Sequence, residues 1–447
     1  MKRRSFLAAG GAAFGLTLLP PWTRPSRGDE ADPTAKPPLW IHLQAGGGWD
    51  PTMLCDPRPG LSNLTFGVGG LTSSKGHTFQ YADLGQGGSF SNDMGYSFGS
   101  FFANNAEQLL VINGIFTATA GHATGACLAA SGRLQPGHPS LFALIAKQVG
   151  ADKAMPYIAA GGGYSHTAGL VAPTWVSDTQ YLNQLAHIHT HANGNEDLYN
   201  EPEKNLLLAA REARLNRMIE SEKRTHIRQS LERLQKARVG AATLESFKSL
   251  YDQGPAVTIP TASNKTMMVR SVFDQGFKAM VGYRTGLTAA AVLQGGSFDT
   301  HSNHDALHPR SLQSVLWGVD LLMQEADAQQ VPMVVLITSE FGRTAGYNVD
   351  QGKDHWPVTS WMMLQTPGLS VFNGGRVVGQ SILDDATQQI GYESLDLATL
   401  TPSASGIPIT PDGLHVALRK ISGVDQLAES TQAFPLVGPD LSAVFLG

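Results

Sequence analysis

The sequence predicts an α/β protein with a mostly parallel sheet, helices on both faces and a helical insertion, and three observations carry that expectation. Apolar runs of strand length recur at 39–43, 109–113 and 157–160, separated by glycine-rich loops. After Gly254-Pro255, helix-length patterns lead into strand-length ones, at 267–285 into 289–293 and at 309–329 into 333–338, the order that favours parallel pairing. Acidic and histidine residues stand where the apolar runs end. In an open α/β sheet, the crevice outside the carboxyl ends of the strands is where ligands bind.

The chain opens Met-Lys-Arg-Arg-Ser-Phe-Leu, continues through an apolar stretch over 6–19 and reaches Pro20-Pro21. Arg3-Arg4 followed by Ser5-Phe6-Leu7 resembles a twin-arginine export signal. The apolar stretch is shorter than the roughly 20 residues a helix needs to span a bilayer, so no stable membrane span is expected in the mature form. Residues 1–36 are read as signal and linker, 37–447 as the main domain and 201–255 as a helical insertion within it. The expected location is periplasmic or otherwise exported, with the twin-arginine export machinery as a partner.

Along the main domain, the run at 39–43 passes through Gly46-Gly47-Gly48-Trp49 to Asp50. A helix is expected at 140–149. From 201 to 251 the chain is dense in Lys, Arg, Glu and Leu, with no proline after Pro202, which predicts two or more amphipathic helices with a solvated charged face. Beyond the helix–strand alternation, 361–364 reads as another short strand, 413–421 as a late helix and 434–446 as an apolar tail that docks.

Composition narrows the function. A formal charge of -5 with 15% charged residues gives no bulk attraction to nucleic acid or anionic lipid, and no nucleic-acid partner is expected. Cys55 and Cys127 are too few for a disulfide scaffold or a structural zinc cluster, leaving either one disulfide or two buried thiols.

The chemistry concentrates in four segments. Asp50 ends a glycine turn, where the backbone can approach a ligand closely and a carboxylate offers the hard oxygen that divalent cations prefer. Residues 295–305, Gly-Gly-Ser-Phe-Asp-Thr-His-Ser-Asn-His-Asp, crowd Asp299, His301, His304 and Asp305 beyond a strand. Asp299 and His301 are two apart and point to one side of an extended segment. Imidazole with carboxylate suits zinc, manganese or iron. His304 is read as a further ligand or as a group that orients one, and His308 as lying outside the ligand set. Glu340 ends the run at 333–338, with Arg343 three residues on as either an oxyanion clamp or the partner of a structural carboxylate. His355, in Gly-Lys-Asp-His-Trp, completes the set.

Taken in order behind the twin-arginine leader, Asp50 in its glycine turn, Phe-Asp-Thr-His-x-x-His, Ser-Glu-Phe-Gly-Arg-Thr and Gly-Lys-Asp-His-Trp resemble the bacterial family called domain of unknown function fifteen-oh-one, placed in the alkaline phosphatase and sulfatase superfamily. The resemblance covers most of 38–447. It implies an alkaline phosphatase-like three-layer sandwich holding one or two divalent metal ions (zinc, manganese, calcium or magnesium). The metal ligands it favours are Asp50, Asp299, His301, Glu340 and His355, with His304 as a further candidate. It implies hydrolysis of a phosphate or sulfate ester, small or polymer-linked, with His122 and Arg343 stabilising charge and Thr124 the hydroxyl candidate beside Thr119 and Thr117. The alternative is an envelope protein that keeps the fold and a metal for binding or assembly.

Two departures from the superfamily favour that alternative: Gly121 stands where a serine commonly precedes the histidine, and Phe341 stands where alkaline phosphatases carry a metal-binding histidine. Cys127 lacks the Cys-x-Pro-x-Arg setting of a sulfatase nucleophile. His187, His189 and His191 alternate as strand-borne ligands would, or line a polar loop, and His415 sits in an apolar helix pattern that reads as packing.

Overall fold

The computed structural model describes residues 36–58, 67–83, 94–176, 198–238, 241–384 and 387–447. The segment that resembles a twin-arginine signal and His187, His189 and His191 lie outside the described residues.

Eight strands form the central sheet: β1 (Leu39–Ala45), β2 (Leu109–Phe116), β3 (Tyr157–Ala159), β4 (Pro173–Trp175), β5 (Ala290–Gly295), β6 (Met333–Ser339), β7 (Val358–Gln365) and β8 (Arg376–Val378). Their order is β8-β2-β7-β6-β1-β5-β3-β4. Every neighbouring pair is parallel except the two made by β7, which runs antiparallel to β2 and β6. That reversal matters for the site. The parallel strands leave the sheet at one end, and β7 enters there, so the residues just before it arrive where the others depart.

The helices are α1 (Phe98–Asn105), α2 (His122–Ser131), α3 (Leu141–Val149), α4 (Glu201–Ser221), α5 (Thr225–Arg238), α6 (Ala241–Asp252), α7 (Met267–Arg284), α8 (His304–Ala328), α9 (Pro411–Ile421) and α10 (Ser442–Leu446). All seven residues of β1 are buried, because both sheet faces are covered. Leu39, Ile41 and Leu43 share a core with Phe101 of α1, Val272 of α7 and Leu316 of α8. Trp40 shares the opposite core with Phe142 of α3 and Leu414 and Leu418 of α9. Period-two alternation thus divides one strand between two helical layers, giving the three-layer α/β sandwich that the sequence predicts.

The charged stretch forms α4, α5 and α6. On α4 only Leu215 is buried, and the helix starts on a capping box in which the Asn200 side chain accepts from Glu203 N–H and Glu203 bonds back. No described helix is long and apolar enough to cross a membrane. Cys55 and Cys127 are free, buried thiols.

Two boundaries differ from the sequence reading in ways that affect the site. The expected helix from 309 begins instead at His304, with Pro309 inside it, so His304 and His308 lie on a helix that faces the interior. The short strand expected at 361–364 spans Val358–Gln365 and is the antiparallel one.

Candidate metal centre

Three segments bring their side chains to the strand ends: the loop after β5, the residues just before β7, and the start of α2. Asp299 is the centre. His355 Nε2 lies 2.9 Å from Asp299 Oδ1, His301 Nε2 lies 3.0 Å from the same oxygen, and His122 Nε2 lies 3.3 Å from Oδ2. Donor atoms of His122, Asp299 and His355 all fall within 4.8 Å of one another.

The other nitrogen of each ring is already committed. His122 Nδ1 is 2.8 Å from Glu340 Oε2, His301 Nδ1 is 2.9 Å from Asp354 Oδ1, and His355 Nδ1 is 2.8 Å from the Ala120 carbonyl oxygen. Ionised carboxylates and carbonyls only accept, so each Nδ1 carries the proton and donates. Each Nε2 is thereby turned toward the Asp299 carboxylate. His301 Nε2 and His355 Nε2 also face each other at 3.0 Å. Imidazole nitrogens and a carboxylate oxygen gathered at such distances form a donor set that a cation could enter. Histidines anchored through Nδ1 to an acceptor, with Nε2 turned inward, are the pattern of metal-ligating imidazoles.

Local structure fixes this geometry. Gly47 has φ +104°, and a Cβ there would sit 2.5 Å from Asp299 N, so the turn after β1 closes against the Asp299 loop only with glycine. Gly47 N–H also donates to Glu340 Oε2 at 3.2 Å. At Gly125, on α2, a Cβ would sit 2.8 Å from the Glu340 carbonyl oxygen, so a hydrogen there lets the helix start lie against Glu340. Burial would raise the Asp299 pKa, but hydrogen bonds from His355 and Arg343 hold the carboxyl well below the usual range. Asp354 is lowered too, first by its bond to His301.

Arg343 stands beneath the cluster. Its side chain is fully buried and donates to the carbonyls of Gly48 (2.8 Å), Lys353 (2.9 Å), Phe298 (2.8 Å) and Gly47, and to Asp299 Oδ1 at 2.9 Å. This is the structural-carboxylate alternative. The guanidinium ties together the turn after β1, the Asp299 loop and the segment before His355, and it has no free edge for an anion.

Asp50 and His304 form a separate, fully buried cluster. Asp50 Oδ2 accepts from the Lys353 ammonium at 2.6 Å and Oδ1 accepts from the Thr52 hydroxyl and N–H. The remaining bonds close a ring: Asp50 N–H donates to His308 Nε2 (2.8 Å), His308 Nδ1 to Thr300 Oγ1 (3.0 Å), the Thr300 hydroxyl to His304 Nδ1 (2.6 Å), and His304 Nε2 to Asp50 Oδ2 (3.3 Å). Burial lowers the pKa of both histidines, and Asp50 is held well below its usual range because Lys353 and His304 outweigh its own burial. Asp50 and His304 thus bond to each other and Asp50 to Lys353, a grouping apart from the histidines gathered on Asp299.

Thr124 is exposed on the first turn of α2, its hydroxyl donating to Gly121 O at 3.0 Å and paired with Thr119 Oγ1 at 2.7 Å. Phe341 is buried, with its ring centroid 4.4 Å from that of His355. Sequence reasoning gave no role to Asp354 or to the Ala120 carbonyl as anchors of His301 and His355, nor to Lys353 as the counter-ion of Asp50. Their adjacency in Gly-Lys-Asp-His-Trp was the available signal for the first and last.

A family model described as protein of unknown function (DUF1501) matches residues 39–396. No curated protein matches the chain. Among solved structures, it is similar to Ps i-CgsB at 8% identity, with a TM-score of 0.40 and coverage of 92% of this chain and 77% of that one. The lipoteichoic acid synthase LtaP from Listeria monocytogenes gives 8% identity, a TM-score of 0.37 and coverage of 91% and 76%. The lipooligosaccharide phosphoethanolamine transferase A (EptA) from Neisseria meningitidis gives 10%, 0.34, and 94% and 62%. These likenesses carry no argument about chemistry.

Proposed function

The chain belongs to the DUF1501 family, and from that premise we propose that it is an exported, metal-dependent hydrolase of phosphate or sulfate esters. One observation carries the proposal: three imidazole Nε2 atoms converge on Asp299 at a solvent-facing place, with side-chain exposures of 45% for His122, 43% for Asp299 and 46% for His301.

The residues fit a divalent cation. His122, Asp299 and His355 would hold it, with His301 beside them, and Glu340, Asp354 and the Ala120 carbonyl would orient the rings. This revises the ligand set: Glu340 orients, His122 ligates, and Asp50 and His304 have no part in it. Zinc or manganese suits the nitrogen-rich donors better than calcium or magnesium. A divalent ion there supplies positive charge to the ester oxygens and lowers the pKa of a water.

The protein's own contributions follow from position. Arg343 keeps Asp299 ionised and fixed. Glu340 holds His122 with its Nε2 outward, at the start of α2, where unpaired helix N–H groups favour an anion. Thr124 is the hydroxyl nearest in sequence to that helix start, but its bond to Gly121 O leaves water as the nucleophile this reading favours.

The same observation supports a second reading, a metal-binding envelope protein without turnover. Hydrolysis of aryl phosphates and aryl sulfates by zinc- or manganese-loaded protein, with Asp299→Ala as control, separates the two. Turnover lost in the variant supports the hydrolase. Stoichiometric metal with no turnover on either ester supports the binding role.

A further inference from the structure

At the far end of α2 from His122, a second polar cluster lies between the α2–α3 connection and the C-terminal part of the chain. Four buried polar atoms there have no hydrogen-bond partner: Arg133 Nε, His138 Nδ1, Arg419 Nη2 and Ser430 Oγ. Arg419, on α9, is only 4% exposed and Ser430 only 5%. The group is held together. Arg419 Nη1 donates to Ser430 O at 3.2 Å and to Phe434 O at 2.7 Å, and the His138 ring centroid is 5.4 Å from that of Phe434. Tyr164 fixes the His138 backbone by donating its hydroxyl to the carbonyl at 2.6 Å.

Charge is unbalanced here. Burial first, and then Arg133, pushes the Arg419 pKa down to about 10, and burial with both arginines lowers that of His138. Among the described residues no carboxylate enters either balance. Two guanidinium groups with unspent donors beside an imidazole and a hydroxyl that also lack partners are an expensive arrangement unless a group carrying negative charge meets them. A water would satisfy geometry without offsetting charge. Guanidinium donors suit tetrahedral oxyanions.

We propose that Arg133, His138, Arg419 and Ser430 form a binding site for a tetrahedral oxyanion, inorganic phosphate or sulfate, distinct from the strand-end cluster. It does not depend on the hydrolase proposal.

The test is a thermal-unfolding titration of full-length protein with sodium sulfate and, separately, sodium phosphate, at constant ionic strength in chloride buffer with chelator. Wild type and Asp299→Ala are both expected to show a saturable rise in Tm, the lower midpoint identifying the preferred anion. Arg133→Gln, at a half-buried position, is expected to raise that midpoint about tenfold or more, as loss of a charge-assisted hydrogen bond would. An equal rise with acetate, no saturable rise with either anion, or an unchanged midpoint in Arg133→Gln would overturn the site. Should that variant not fold, anomalous diffraction from wild-type crystals soaked in selenate decides: a peak within hydrogen-bond distance of Arg419 and His138 supports the site, and its absence there overturns it.

Discussion

His301 Nε2 and His355 Nε2 face each other at 3.0 Å, while the Nδ1 of each ring is held on an oxygen acceptor, Asp354 Oδ1 or Ala120 O. Neither ring can turn its Nε2 away without losing that anchor, so both stay aimed at the Asp299 carboxylate, the arrangement on which the proposed cation site rests.

In the proposed site Glu340 acts through His122, which it holds at 2.8 Å, so Glu340→Gln should weaken metal binding by about 10–100-fold without abolishing it, the usual range for a group that orients a ligand. Competition with a chelating dye measures the change. Complete loss in Glu340→Gln would make Glu340 a ligand itself.

Gly125 makes a prediction with two opposed terms. Alanine is favoured in a helix interior by about 1 kcal/mol, yet a Cβ at Gly125 would sit 2.8 Å from the Glu340 carbonyl oxygen. Gly125→Ala should keep its helical circular dichroism and lose metal affinity, because α2 must move away from Glu340. Unchanged affinity would show that the start of α2 is not held by this contact.

The Lys353–Asp50 pair predicts a stability effect separate from the metal. Both side chains are buried, with Nζ and Oδ2 2.6 Å apart. Lys353→Met leaves the Asp50 carboxylate uncompensated and should cost about 3–5 kcal/mol in urea unfolding. The double variant with Asp50→Asn should recover part of that loss, since the stranded charge is gone.

Burial pushes the His415 pKa down to about 4 and that of His42 down to about 3. The unfolded chain binds the proton near pH 6.5, so stability is present above that pH and is lost as pH falls toward the folded values. His415 alone should remove about 2–3 kcal/mol between pH 7 and pH 4.5. Unfolding curves at the two pH values should show a smaller difference in His415→Gln, and an identical difference would remove His415 from the acid response.

The sheet was legible in the sequence because buried strands are apolar throughout: the runs beginning at 39, 109 and 333 all lie in β1, β2 and β6. The direction of β7 was not, since periodicity carries no information on pairing sense. Asp299, His301, Glu340 and His355 were legible as a group because density of ligand-type residues beyond strand ends has few packing explanations. Asp50 and His304 had the same residue types and spacing. What separated them was the start of α8 five residues before Pro309, which turns His304 and His308 inward, and a lysine 303 positions from Asp50 in sequence. Arg343 shows the same limit, for its five acceptors come from segments far apart in the chain.

Elemental analysis of purified full-length protein, wild type beside Asp299→Ala, asks whether a cation depends on the Asp299 carboxylate. About one tightly held divalent ion per chain in the wild type and none in Asp299→Ala is the result expected of a single cluster centred on one carboxylate. Metal retained in Asp299→Ala, or no metal in either protein after supply of zinc and manganese, would contradict the proposed site.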